Sequence, residues 1–235
     1  SPLILTLFSS SIENPSLTGI EIIFSQLILH PNEIVKEKDA IARLYLKLIR
    51  QQSAGNNNIY YYEGIKGEHH FLSSIHQYII GLNNRLYNKK PGNVFLKNNL
   101  YKQVQMAYAV PRIISLITVG DGDLYNLFPT DLHGLLDDQF YSISLRTNGK
   151  ACMQVEAAKR IVVSEMHSDA YKTVYSLGKN HMQELKTKDN FPFSESVSAI
   201  LKFPLPTLAL KYRELELAEF FEYGIHKLLL FKVIS

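Results

Sequence analysis

The sequence predicts an α+β chain: a mainly helical N-terminal region over residues 1–106, then an antiparallel β-rich domain over 107–235. Three observations predict it. In the first half, apolar residues recur at helical spacing, at Ile34, Ile41, Tyr45 and Leu48, and again at Phe71, Ile75, Ile79, Leu82 and Leu86. In the second half they recur instead as short extended runs, Ile113–Val119, Phe140–Leu145 and Ile161–Val163. Two longer runs, 208–221 and 225–234, meet at Tyr223-Gly224 and read as an antiparallel hairpin. Several strands with one or two short helices suggest a small barrel, whose closure removes exposed edges.

Along the chain, 31–52 reads as a helix with charges between its apolar positions, and Ser53–Asn58 as a loop. Ile59–Glu63 is a candidate short strand, and its Tyr60-Tyr61-Tyr62 run reads most simply as strand packing. Residues 68–87 form the stronger helical stripe. Residues 83–99, rich in Asn and Lys and containing Pro91-Gly92, read as an exposed connection, with a domain boundary between about 90 and 107. Ile113–Val119 is β-branched and apolar, a buried strand, and Gly120-Asp121-Gly122-Asp123 is a turn by composition. Phe140–Leu145 alternates Ser142 and Ser144 against Tyr141, Ile143 and Leu145. The Asn148-Gly149 turn then leads into a short helix over 150–160 and a strand at Ile161–Val163.

Composition narrows the function classes. With 235 residues, 46% of them hydrophobic, the chain can bury a full core. A formal net charge of +3 without a dense basic stripe argues against a nucleic-acid surface. One cysteine, Cys152, permits no disulfide within the chain. No apolar run approaches the ~20 residues of a membrane helix. These features lead to the expectation of a cytoplasmic protein with no membrane and no nucleic-acid partner. There is no G-x-G-x-x-G fingerprint, no phosphate-binding P-loop and no G-x-S-x-G elbow.

Three places carry groups suited to chemistry. Arg146-Thr147-Asn148-Gly149-Lys150 offers a guanidinium fork, an ammonium and a hydroxyl, with Ser144 close by in sequence. A helix starting near Lys150 adds free N–H groups that favour an anion. The same residues also make an ordinary solvated turn. In Asn126–Gly134, Pro129 lacks an N–H and argues against a central strand position, which leaves backbone groups free for a ligand or for an edge. His226 follows the hairpin turn and His181 sits in Ser176–His181; each is a proton shuttle or a packed polar residue. His69 and His70, placed on the first-half helix, do not share a face and make no metal site. Cys152 reads as a small packed residue, although a helix start and two cations would lower its pKa.

In order along 111–235, five pieces resemble the flavin reductase-like family of FMN-binding split barrels. They are VPRIISLITVGDGDLYNLFPTDLHG, FYSISLRTNGK, the helix and strand over Ala151–Val163, YKTVYSLGK, and GIHKLLLFKVI with its Gly-x-His. The turn Arg146–Lys150 departs from the family's commonest wording, and residues 1–106 have no counterpart in its minimal barrel. The resemblance implies a split β-barrel of antiparallel Greek-key type and an oxidoreductase that takes hydride from NADH or NADPH. Electrons would pass to flavin or another small-molecule acceptor. It places Asn126, Leu127, Phe128, Pro129, Thr130 and Asp131 at the flavin ring and ribityl chain. Ser142, Ser144, Arg146, Thr147 and Lys150 fall at the phosphate, and Ser176, Gly178 and His181 beside the ring. His226 is the catalytic residue on the nicotinamide side, and a homodimer is implied. A second expectation is an FMN-carrying binding or sensing protein without fast turnover.

Overall fold

The structure is a computed structural model that describes residues 4–9, 19–25, 39–54, 57–87, 99–109 and 112–235. The chain divides into two compact units, Ser1–Pro111 and Arg112–Ser235.

The first unit is built on a sheet, which corrects the mainly helical expectation. Strands β1 (Ile4–Ser9), β2 (Ile20–Ser25), β3 (Ala40–Ala54) and β4 (Asn57–His69) pair antiparallel in the order β1-β4-β3-β2. Two helices follow, α1 (Ser74–Tyr87) and α2 (Leu100–Ala109). The reason for the misreading lies in β3. Its fully buried residues are Ala42, Leu44 and Leu46, a period of two. Ile41, Tyr45 and Leu48 mimic a helical stripe but are only half-buried, and Ile34 lies outside the described residues.

Tyr60 and Tyr62 of β4 join the β3 residues and Met106 of α2 in one core cluster. Gly67 permits that packing, because a Cβ there would lie 2.9 Å from the Met106 sulfur and 3.0 Å from the Gln103 backbone nitrogen. The helix expected over 68–87 starts only at Ser74, so His69 ends a strand rather than lying on a helix. It is buried, bonded to Gln105 at 3.2 Å and stacked on Phe71. The stripe Ile75, Ile79, Leu82 and Leu86 does fall on one face of α1, and that face is exposed. The expected connection over 83–99 yields to α1 as far as Tyr87 and to α2 from Leu100; residues 88–98 lie outside the described residues.

In the second unit the sequence reading holds closely. β5 (Ser115–Asp121) and β6 (Leu124–Thr130) form a hairpin whose turn, Gly122-Asp123, is the second half of the expected Gly120–Asp123 turn, the first half extending β5. β7 (His133–Leu135) precedes β8 (Phe140–Arg146), where Tyr141, Ile143 and Leu145 are buried as the alternation required. Then come α3 (Lys150–Ala158), β9 (Arg160–Met166), α4 (Tyr171–Ser176), a 3-10 segment Leu177–Met182 and β10 (Lys186–Thr187). β11 (Phe193–Val197) and β12 (Pro204–Pro206) pair with each other. β13 (Ala209–Tyr223) and β14 (His226–Val233) form the expected closing hairpin.

Eight of these strands make one antiparallel sheet in the order β10-β6-β5-β9-β13-β14-β8-β7. Its ladder is open, so the fully closed barrel of the sequence reading is not formed. β6 and β8 do not pair as strands; only Asp131 and Leu132 separate β6 from β7, and Ser144 N–H donates to Leu132 O at 2.8 Å. The inner face carries a core of Ile117, Phe128, Ile143, Val155, Leu215 and Phe231, on which α3 packs. A second cluster seats α4 through Leu116, Leu127, Val174 and Leu177.

Candidate functional site

β6 is the element from which the site is built. β5 covers one of its edges along the whole length, but β10 covers the other only at Leu124 and Tyr125. Beyond Tyr125 its outward carbonyls need other partners, because a buried unpaired carbonyl is costly. The 3-10 segment Leu177–Met182 supplies them with side chains. Asn180 Nδ2 donates to Leu127 O at 2.8 Å, and His181 Nε2 donates to Pro129 O at 2.7 Å. Asn126 Nδ2 returns a bond to Asn180 O at 3.0 Å and another to Gln154 of α3 at 2.7 Å. Gln154 Nε2 in turn donates to Gln183 O at 2.8 Å. Pro129 is tolerated because its missing N–H faces this strandless edge. Its carbonyl also fixes the His181 tautomer: Nε2 carries the proton and Nδ1 is left as an acceptor.

The turn from β8 into α3 forms the second wall. Arg146 lies opposite His226 in the β8–β14 register, so the two side chains share a sheet face. Ser144 Oγ lies 3.2 Å from His226 Nδ1 on that face. Thr147 N–H donates to Ile225 O at 3.0 Å, while its hydroxyl oxygen is buried without a hydrogen-bond partner. Gly149 closes the turn, and a Cβ there would press on Arg146 O at 3.2 Å and His181 O at 3.6 Å. The His181 segment and the Arg146 turn are therefore in direct contact. Gly149 gives α3 no side-chain cap.

Electrostatics join the two walls. Burial holds both His181 and His226 below the ordinary histidine value, and the Arg146 guanidinium pushes each the same way. The Pro129 carbonyl and Asp131 oppose that shift at His181 without reversing it. The result is a cation beside two neutral imidazoles and an unsatisfied hydroxyl. The guanidinium and the free hydroxyl are donors that suit an anion with several oxygens.

The other expected residues occupy different surroundings. Asn126, Leu127 and Phe128 are wholly buried, and the Leu127 carbonyl at the β6 edge is taken by Asn180. Thr130 is buried, and its hydroxyl accepts from Leu132 N–H at 3.4 Å. Asp131 pairs with Arg112 at 2.9 Å. Ser142 lies on the Ser144 face of β8, half-buried opposite Leu230. Lys150 is ion-paired with Glu184. Ser176 is exposed and donates to Thr173 O at 2.7 Å, while Gly178 opens onto free space. Cys152 is buried and donates to Glu156 at 3.2 Å; burial pushes its thiol up to about 12, the reverse of the lowering expected from the helix start.

Three groups went unselected by sequence reasoning. Asn180 and Gln154 carry the bonds that hold the wall, and an isolated amide in a helical run gives no signal of that. His133 accepts from the Tyr141 hydroxyl at 2.6 Å and donates to Ile113 O at 3.2 Å, tying the start of the unit to β8. Among the described residues no group of three or more His, Cys, Asp or Glu could hold a metal, and no helix is long and apolar enough to cross a membrane.

No family model and no curated protein matches the chain. Solved structures do, among them FMN-binding and flavin reductase proteins, in line with the resemblance seen in the sequence. The NADH:FAD oxidoreductase SgcE6 of Streptomyces globisporus C-1027 is similar at 15% identity and TM-score 0.51, covering 62% of this chain and 87% of its own. An FMN-binding protein from Thermus thermophilus is similar at 20% identity and TM-score 0.47, covering 54% and 71%. BorF, the flavin reductase component of a bacterial two-component tryptophan halogenase, matches at 15% identity and TM-score 0.49, covering 57% and 85%. At these identities the SgcE6 likeness establishes a fold, and the chemistry rests on the residues.

Proposed function

We propose that the second unit is a split barrel that binds FMN and acts as an oxidoreductase of flavin reductase type, reduced by NADH or NADPH. The observation that carries this reading is the Arg146 turn. It combines a guanidinium, a buried hydroxyl on Thr147 with no partner, and an uncapped helix start, beside two uncharged imidazoles. An orphaned buried hydroxyl is costly unless a ligand satisfies it, and a phosphate monoester has the oxygens to do so. The residues present therefore fit the phosphate end of FMN.

In this reading Arg146 and Thr147 hold the phosphate, with Ser142 and Ser144 on the same strand. The β6 edge from Asn126 to Asp131 meets the ring and ribityl chain through its backbone, and Gly178 leaves open the space beside them. His181 is held by Pro129 O in one tautomer, which presents Nδ1 as an acceptor. His226, neutral and steadied by Ser144, lies on the nicotinamide side and orients the reductant. When bound, the flavin supplies the hydride-accepting centre. A homodimer, with the flavin near the subunit interface, belongs to the same proposal.

The test is an absorption spectrum of the purified protein before and after anaerobic NADH and NADPH. Flavin bands that bleach support the oxidoreductase. Bands that persist with both reductants leave a flavin carrier without fast turnover. No bands, and no uptake of added FMN, overturn the flavin reading.

A further inference from the structure

α3 has a second open side. Its outer face, the end of β5 and the segment after the 3-10 turn enclose a groove of about 670 Å³. Small-molecule sites span roughly 300–1,000 Å³ and are mostly apolar with a few placed polar groups. Val119 and Gly120 of β5, Met153 and Ala157 of α3, Leu185 and Phe203 supply the apolar lining. Of the residues assigned above to the flavin, only Lys150 lines it.

We propose that this groove is a binding site for an aromatic monoanion. Three features specify the ligand. First, the aromatic part of the lining is anchored. The Tyr125 ring lies on Gly120, where a Cβ would meet it at 2.6 Å, and it contacts Phe203 and Phe193 edge-on with centroids 6.0 Å apart. Phe203 thus offers a fixed surface, while Met153, 62% exposed, adapts to what lies against it. Second, the anion has a seat. Lys150 of α3 lines the groove and brings an ammonium to it. The Lys150–Glu184 pair is exposed, with Glu184 at 73%. Solvent-exposed pairs are weak, so a ligand carboxylate or sulfonate displaces Glu184 at little cost. Third, the charge is limited to one. Asp121 also lines the groove and repels a second anionic group, and Arg160 is engaged with Glu216 at 3.0 Å.

The probe is 8-anilinonaphthalene-1-sulfonate, an aromatic monoanion whose fluorescence rises in an apolar site, titrated into the full chain. Its neutral counterpart N-phenyl-1-naphthylamine is the control. The expected result is saturable 1:1 binding of the sulfonate. Its affinity exceeds that of the neutral compound by about tenfold, the scale of one charge-assisted hydrogen bond. Ala157→Trp, a change at an exposed helix position, fills the groove and abolishes binding while the melting midpoint holds. Met153→Asp does the same by placing like charge in the slot. Equal binding by the Ala157→Trp and Met153→Asp variants overturns the site, and equal affinity for the two compounds overturns the anion seat. Displacement by FMN overturns the groove's independence from the flavin. Failure to bind FMN with sulfonate binding intact removes the flavin reading and leaves this one standing.

Discussion

At the residue scale, the histidines of the second unit are set by what their ring nitrogens already bond. His133 accepts the Tyr141 proton on Nδ1 and donates from Nε2 to Ile113 O, and burial pushes its pKa down while it pushes Tyr141 up to about 12. Charging the ring would place a proton where the tyrosine already donates. His181 and His226 are lowered as well, and His69 of the first unit shares the direction. A histidine whose folded value lies below its unfolded one of about 6.5 takes up a proton first in the unfolded chain. Its contribution to stability is complete above pH 6.5 and is lost as pH falls beneath it. The urea midpoint should therefore decrease between pH 7 and pH 5. In nitrogen-15 spectra His133 should stay in the Nε2–H form at pH 6.5, and a half-charged ring at that pH would contradict the assigned bonds. Cys152, held up by burial and Glu156, should not react with a thiol reagent at pH 8 until the protein is unfolded.

At the element scale, two buried side chains replace secondary structure. Asn180 acts as a stand-in for the strand missing at the β6 edge, bonding Leu127 O and receiving the Asn126 amide through its own carbonyl. Asn180→Ala leaves Leu127 O buried and unpaired and should cost about 1–3 kcal/mol, read as a lower urea midpoint at unchanged m-value. Glu214 is fully buried in β13 and accepts from Ile200 N–H at 2.9 Å and Leu201 N–H at 2.6 Å, pinning the turn between β11 and β12. Burial raises its pKa, but these bonds outweigh burial and leave it below the ordinary carboxylate value. Its contribution is present above about pH 4.5 and disappears as pH falls through the lowered value. Glu214→Ala should cost roughly 3 kcal/mol at pH 7, and its difference from the parent should shrink as pH falls through the lowered value. These bonds were not legible in the sequence, because they join positions far apart through single amides and carboxylates that carry no periodic signal. The strands they serve were legible. Tyr141, Ile143 and Leu145 alternate, and the Tyr223-Gly224 break divides 208–234 into two extended runs that read as a hairpin. β3 was not, because Ile41, Tyr45 and Leu48 satisfy a helical spacing by coincidence while burial follows Ala42, Leu44 and Leu46.

At the scale of the whole molecule, the two units keep separate cores. The clusters around Phe128 and Leu127 draw only on residues after Arg112, and the Tyr60–Met106 cluster only on residues before Pro111. The site residues follow the same division: the groups assigned to the flavin lie in the second unit, as do the bonds described above that hold them. A core built from one segment and a site built on that core do not require the other segment in order to form. Residues 112–235 expressed alone should therefore unfold in one cooperative step and take up FMN with an affinity close to that of the full chain. Arg146→Ala in that fragment should weaken uptake by about tenfold or more, the scale of a lost charge-assisted bond to phosphate, while riboflavin, which lacks the phosphate, should bind both forms alike. A fragment that folds but binds FMN only when the first unit is restored would show that residues 1–111 complete the site. Equal loss for riboflavin would move Arg146 from the phosphate to the ring.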